Sequence, residues 1–276
     1  MKIALLGAGG KMGLRCTDNL LRSPHLCSFV EVSPAGIEAL AGRGVQAIPA
    51  EAALSAAEVV ILAVPDRLIR EVANHVVPLA APGTLVLVLD PAAPLAGQLP
   101  PRADIAYFVT HPCHPPVLND ETDPAARRDF FGGTRAKQHI VCALMQGSEA
   151  DYAKGVAVAR TIFAPVMTAH RVTVEQMAVL EPAMAETVVL TLMVTIKEAM
   201  DEAVKAGVPA AAARDFLLGH MNVNIGILFG GLGARFSDGA LKAVERGRKA
   251  VLRDDWRQVF EPERIRREVK AITEAL

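Results

Sequence analysis

The first half of the chain alternates short, unbroken apolar runs with amphipathic stretches. KIALLG (2–7) is apolar throughout and closed by glycine, as expected of a strand buried on both faces. Residues 11–22 follow with helical spacing. CSFVEV (27–32) reads as a second strand, and SPAGIEALAGRG (33–44) opens with a Ser-Pro helix start. EVVILAV (58–64) is a third strand, PDRLIREVANHVVPLA (65–80) a helix, and GTLVLVLD (83–90) and ADIAYFVTH (103–111) are further strands. Short apolar runs separated by helices predict right-handed βαβ units in a doubly wound parallel sheet of Rossmann type. HIVCALM (139–145) and PVMTAHRV (165–172) flank the helical stretch 148–163 and extend the sheet.

From Val172 the texture changes. The pattern becomes helical almost throughout, with Pro182 as a bend and no strand signal to the end. The pattern predicts two domains: an α/β domain at 1–171, and an all-helical domain at 172–276. The long apolar helices carry little polar cover. We expect them to pack across a homodimer, although a large intrachain interface gives the same pattern.

Composition narrows the class. A chain of 276 residues is comfortable for two domains, and 51% apolar residues supply a sizeable core. With 29 basic and 30 acidic residues, nothing points to a nucleic-acid partner. Four cysteines without a C-x-x-C pair fit a reduced, cytoplasmic setting, with Cys16 and Cys27 read as small apolar residues. The opening imitates a signal sequence only briefly before glycines and Lys11 interrupt it. No uncharged apolar run reaches the roughly 18 residues of a bilayer crossing, so no membrane partner is expected.

Chemistry enters at the first turn. Gly7, Gly9, Gly10 and Gly13 lie between the first strand and first helix, with Met12 in the place of the third glycine of a strict G-x-G-x-x-G. Glycine lets the backbone approach a pyrophosphate, and the helix N-terminus supplies N–H groups and positive potential. Gly9, Gly10, Lys11, Met12 and Gly13 are the candidate phosphate contacts. Glu31 ends the second strand about twenty residues on, where an acid accepts hydrogen bonds from ribose hydroxyls and repels a 2′-phosphate. That favours NAD over NADP, against the plainer role of a solvated strand-end acid. Asp66, in AVPD at the end of the third clear strand, either touches the cofactor or caps the following helix.

A second stretch, THPCHPPVLNDETD (110–123), follows a strand of the same domain. His111 and His114 stand three apart, a metal-ligand spacing, on a loop stiffened by two prolines. Asp120, Glu121 and Asp123 follow. The competing reading is a capped surface loop with incidental histidines. In the helical half Glu181 sits amid apolar residues, where a charge needs a partner or a metal. Glu186, five residues on, is a poor match for the same α-helical face. Lys197 reads as a solvated helix charge. His220, Asn222 and Asn224 read as interhelical hydrogen-bonding groups or as substrate contacts.

Taken together, LLGAGGKMG, VEVSPAG, VVILAVPD, YFVTHPCHPPVLNDETD, AKQHIVCALMQG, HRVTVEQMAVLEPAMAETV and ARDFLLGHMNV resemble the D-apionate oxidoisomerases, NAD-dependent enzymes of apiose catabolism. The resemblance runs from Ile3 to about Glu263. The wider group is similar to 6-phosphogluconate dehydrogenases and ketol-acid reductoisomerases, with a Rossmann domain and a helical, dimer-forming C-terminal half. It implies oxidation of a branched sugar acid, D-apionate, to 3-oxo-isoapionate: hydride transfer to NAD, then migration of a hydroxymethyl group. A divalent metal (Zn, Mn or Mg) bridging the two reacting oxygens suits that chemistry. His114 and Glu181 are the expected ligands, and His111 a third ligand or the proton acceptor. The alternatives are a plain or decarboxylating hydroxy-acid dehydrogenase, and a non-catalytic NAD sensor.

Overall fold

The computed structural model describes residues 1–274. It divides into two compact units: Met1–Leu180 together with the C-terminal stretch from Arg266, and Glu181–Ile265.

The first unit is built on a seven-stranded sheet of β1 (Lys2–Leu6), β2 (Leu26–Val30), β3 (Val59–Leu62), β4 (Leu85–Val88), β5 (Ala106–Pro112), β6 (Gln138–Gln146) and β7 (Val166–Arg171). The spatial order is β2-β1-β3-β4-β5-β6-β7. The unbroken apolar runs are explained by two covered faces. Ile3, Leu5, Val59, Ile61, Leu85, Leu87 and Phe108 enter one core cluster, and Ala4, Leu6, Val60, Leu62, Val86, Val88 and Tyr107 the other. Alternate residues of one strand thus feed opposite faces. The first face is covered by α1 (Lys11–Leu20) and α6 (Glu149–Ile162), through Cys16, Leu20, Val158 and Ile162. The second is covered by α3 (Ala50–Leu54) and α4 (Asp66–Val76), through Leu54, Ile69, Ala73 and Val76.

Strands β1 to β5 run parallel, as predicted. β6 extends the sheet antiparallel to β5, and β7 runs parallel to β6. The reversal follows from the connection. A long loop rather than a crossover helix joins β5 to β6, while α6 carries the chain from β6 to β7 as a βαβ unit.

After β7 comes α7 (Val174–Ala178), capped by a Thr173–Gln176 capping box. Its Val174 and Met177 are buried with Val109, Val141 and Ala143 of the sheet. This packing is why the division falls after Leu180 and not after Arg171, where the change in sequence texture had suggested it. The last part of α11 (Pro262–Glu274), from Arg266, also belongs with the first unit.

Val179–Leu190 is wound as a π-helix with Pro182 inside. Proline has no N–H to donate, so it disturbs the ordinary ladder, and the Thr187 hydroxyl donates to the Pro182 carbonyl at 2.7 Å. α8 (Thr191–Lys205), α9 (Ala210–Leu228) and α10 (Asp238–Val251) complete the second unit. The continuous helix Val174–Lys205 has 32 residues and a mean hydropathy of 1.6 over its most apolar stretch, enough by length and composition to cross a bilayer. It contains no uncharged run of that length, because Glu181 and Glu186 interrupt it.

Candidate active site

The site begins at the turn between β1 and α1. Gly7 has φ +74°, and a Cβ on Gly13 would stand 1.9 Å from the Gly7 carbonyl oxygen. Only glycine permits both, so helix α1 starts directly above the strand end. Gly10 caps α1 with no side-chain acceptor, and the first turn carries no acid. That leaves the helix terminus suited to an anion. Gly9 and Gly10 differ from the simplest expectation for phosphate donors. The Gly9 amide donates to Glu31 Oε2 at 2.9 Å, and the Gly10 amide to the Gly7 carbonyl at 3.0 Å. Here these two glycines supply shape.

Glu31 is held by four donors. Oε1 accepts from the Val32 amide, the Ser33 amide and the Ser33 hydroxyl, each at 2.9 Å, and Oε2 accepts from Gly9. Burial pushes its carboxyl up, but the Ser33, Gly9 and Val32 hydrogen bonds outweigh it and hold the group below its ordinary value. Ser33 also caps α2 (Pro34–Ala41), accepting from the Gly36 amide. Gly36 went unnoticed in the sequence although VSPAG displays it. A Cβ on Gly9 would lie 2.3 Å from the Gly36 carbonyl oxygen, and a Cβ on Gly36 would lie 2.6 Å from Glu31 Cδ. Two glycines therefore let the glycine turn, the α2 terminus and the carboxylate share one spot.

These groups border a cleft of ≈ 1210 Å³ lined by Gly7, Gly10, Glu31, Ser33, Pro65 and Leu68 among others. It lies outside the carboxyl ends of β1, β2 and β3, where open parallel sheets bind ligands. Asp66 is the first residue of α4, after Pro65 in the cap position, where an acid meets the positive end of the helix dipole. Lys11 and Met12 open α1. The Lys11 ammonium lies 5.0 Å from the Phe131 ring centroid, and the Met12 sulfur accepts from Arg15 at 3.7 Å.

The histidine loop leaves β5 at the other side of β4. His111 Nδ1 lies 2.9 Å from the Leu89 carbonyl oxygen and 3.8 Å from Asp90 Oδ2. His114 Nδ1 lies 2.8 Å from the Phe131 carbonyl oxygen. A carbonyl only accepts, so each Nδ1 carries the proton and the lone pair of each neutral ring sits on Nε2. The rings meet edge to face at 6.2 Å. Among the described residues His114 is the one non-glycine residue with positive φ, at 61°. Strain of this kind gathers at functional positions. Asp90 and Phe131 escaped the sequence reading. The acid closing VLVLD was the available signal for Asp90, whereas nothing local ties Phe131 to His114.

The acids after the histidines do other work. Glu121 accepts from the Lys137 amide, and Asp123 from the Ala125 amide. With Asp129, which accepts three backbone N–H groups from 134–136, they stitch the loop together. The buried cysteines are not nucleophiles: burial pushes Cys16 up to about 12 and Cys142 up to about 11. Cys27 is half-buried.

In the second unit Glu181 and Glu186 both lie on the π-wound stretch. An i→i+5 ladder brings residues five apart close to one side of the helix. The α-helical spacing argument against Glu186 therefore fails. Lys197 is a solvated charge, as expected, paired with Asp201. Within the chain His220 bonds its own helix. Its Nδ1 bonds the Phe216 carbonyl one turn back at 2.8 Å, its ring stacks on Phe216 at 4.0 Å, and Asn222 and Asn224 are exposed. Among the described residues no three His, Cys, Asp or Glu side chains gather as a metal cluster.

Comparison with known proteins fixes the family. Residues 119–273 match the family model of the phosphogluconate dehydrogenase (decarboxylating) C-terminal domain, and residues 2–94 that of NADP oxidoreductase, coenzyme F420-dependent. A D-apionate oxidoisomerase of Rhizobium rhizogenes is 55% identical over 98% of this chain and 99% of its own. One from Cupriavidus necator is 52% identical over 99% of both. The chain belongs to the D-apionate oxidoisomerase family. A crystal structure from Cupriavidus necator, of a semialdehyde dehydrogenase NAD-binding protein in complex with calcium and NAD, superposes with a TM-score of 0.97. It is 52% identical and covers 98% of this chain and 99% of its own. As a D-apionate oxidoisomerase family member the chain is an enzyme of the oxidoreductase class, with a Rossmann-like first unit and a helical second one.

Proposed function

We propose that the chain is an NAD-dependent oxidoisomerase that converts D-apionate to 3-oxo-isoapionate. The observation that carries this reading is the preset histidine pair at the end of β5, in a chain that matches D-apionate oxidoisomerases from end to end. Lys11 and Met12 at the start of α1 hold the pyrophosphate, and Glu31 takes the adenosine ribose hydroxyls on Oε2. Gly9, Gly10, Gly13 and Asp66 shape the same grip. The substrate CH–OH gives its hydride to NAD, and His111 Nε2 accepts the hydroxyl proton while Nδ1 stays anchored on Leu89. The resulting 2-oxo acid carries a neighbouring tertiary alcohol. Loss of that alcohol's proton lets a hydroxymethyl group move, with its bonding pair, to the ketone carbon. The old alcohol carbon becomes the new ketone, and the new alkoxide takes up a proton.

A divalent cation bound here would polarise the ketone and lower the cost of both proton losses. The residues proposed to hold it are His114 and Glu181. The histidine half fits: a ligating imidazole characteristically donates its second N–H to a carbonyl, as His114 does. The calcium in the related crystal structure supports a divalent ion, with zinc, manganese and magnesium the expected candidates. The exposed apolar side chains of the second unit, Phe216, Leu228 and Phe229 among them, are read as a homodimer interface of a cytoplasmic enzyme.

The test is incubation with NAD and D-apionate, with NADH followed by absorbance and the product by carbon-13 NMR. A rearranged 3-oxo acid is expected. The matching C-terminal model belongs to decarboxylating dehydrogenases and favours a second reading, oxidation with loss of CO2. Release of CO2, or an unrearranged 2-oxo acid, would overturn the first.

A further inference from the structure

We propose that Phe131, clasped by Arg15 and Lys11, is the positioning residue that fixes the tautomer and direction of the His114 imidazole. It rests on the reading of His114 as a group of the reacting centre, and it names what sets that group. Four contacts converge on Phe131. Its carbonyl accepts the His114 Nδ1–H at 2.8 Å, and its ring meets the His114 ring edge to face at 5.9 Å. Two cations of α1 also meet the ring. The Arg15 guanidinium carbon lies 4.1 Å from the Phe131 ring centroid, and the Lys11 ammonium 5.0 Å. Both distances are those of cation–π attraction.

The ring needs this clasp because the surrounding loop does little to bury it. Phe131 is 49% exposed, and Gly132 and Gly133 follow with φ of +71° and +79°. One further tie runs from the loop to α1: the buried Asn19 side chain donates to the Gly133 carbonyl at 2.8 Å. The same helix therefore opens the nucleotide grip and holds the carbonyl that orients His114. His114 pays backbone strain, at φ 61°, to stand beneath it. A ring so held presents Nε2 in one direction; a ring released turns and exchanges its proton between the two nitrogens.

The experiment uses the full-length chain labelled with nitrogen-15 histidine, the His114 signals being identified by their loss in His114→Gln. Long-range proton–nitrogen spectra of the wild type should show His114 protonated on Nδ1. Phe131→Ala and Arg15→Ala should both shift it toward the Nε2-protonated form, and Phe131→Tyr, which keeps the ring, should restore the wild-type pattern. In parallel, kcat should fall roughly tenfold or more in Phe131→Ala while KM for the dinucleotide stays within about twofold. A His114 that stays fully Nδ1-protonated in both Phe131→Ala and Arg15→Ala would overturn the proposal. Should Phe131→Ala fold poorly, Arg15→Ala carries the same readout from the surface of α1. A tautomer that shifts while turnover holds would uphold the positioning role and instead remove His114 from the reaction.

Discussion

Gly9 donates its amide proton to Glu31 across 2.9 Å, so the glycine turn and the strand-end carboxylate form one unit. Hydrogen bonds to a charged group contribute about 1.5–3 kcal/mol each. Glu31→Gln keeps the shape but loses the charge. We expect NAD to bind roughly ten- to a hundredfold more weakly, with the preference against NADP reduced. Calorimetric titration with both dinucleotides checks this, and an unchanged NAD affinity would contradict it.

Acid should open the same clamp. Glu31 titrates below its ordinary 4.5, so its contribution to the turn is complete above that pH and is lost as pH falls through the lower, folded value. The Gly9 amide resonance, followed by NMR down the acid range, should titrate with a midpoint under 4.5. A midpoint above it would mean that burial, not the four donors, governs the carboxyl.

The two facing glycines should differ when substituted. In Gly9→Ala the new methyl meets Gly36 backbone at 2.3 Å, which has no room to yield. In Gly36→Ala the obstacle is the Glu31 side chain at 2.6 Å, which is able to swing away. Gly9→Ala should lower Tm as well as NAD affinity. Gly36→Ala should weaken NAD binding with a smaller change in Tm, as read by calorimetry and thermal unfolding.

Helical glycines provide a control of sign. A Cβ on Gly155 of α6 would lie 2.5 Å from the Phe108 ring, whereas one on Gly247 of α10 meets nothing within 4 Å. Gly155→Ala should destabilise by about 1–3 kcal/mol through overpacking. Gly247→Ala should stabilise by about 0.5–1 kcal/mol through backbone entropy. Denaturant midpoints of the two variants decide.

If a divalent ion serves His114 and Glu181, exhaustive chelation should cut turnover by roughly a hundredfold or more, and one divalent ion should restore it. NAD affinity should stay unchanged throughout. Full turnover after chelation would take the metal out of the reaction.

The apolar second unit makes a prediction about assembly. Phe216 and Phe229 are 69% and 75% exposed within one chain. The protein should stay in the supernatant without detergent and sediment as a dimer, and Phe216→Glu with Phe229→Glu should give monomers of unchanged helicity. A need for detergent would point instead to a membrane role for the helix Val174–Lys205.

Sequence pattern was most telling where local rules and tertiary context agree. The runs 58–64 and 83–90 read as buried strands because both faces of β3 and β4 are covered. Ser33 announced α2 because its cap is a contact three residues long. The glycines, Glu31 and the two histidines stood out because their roles follow from residue type at a strand end. Less legible was everything set by partners distant in the chain. The reversed direction of β6 depends on how a loop of 113–137 returns, and the π winding around Pro182 depends on a ladder slip that spacing does not show.

By itself the sequence determined a Rossmann-like sheet, a glycine grip with an acid beyond it, a stiff histidine loop and a helical remainder, because each is written in residues adjacent in the chain. Tertiary structure alone decided that Gly36 makes room for Gly9, that Leu89 and Phe131 choose the protonated nitrogen of His111 and His114, and that Arg15 reaches across to Phe131. These are close contacts between segments far apart in sequence, fixed by packing at a few ångströms, and no local pattern of residues encodes a distance.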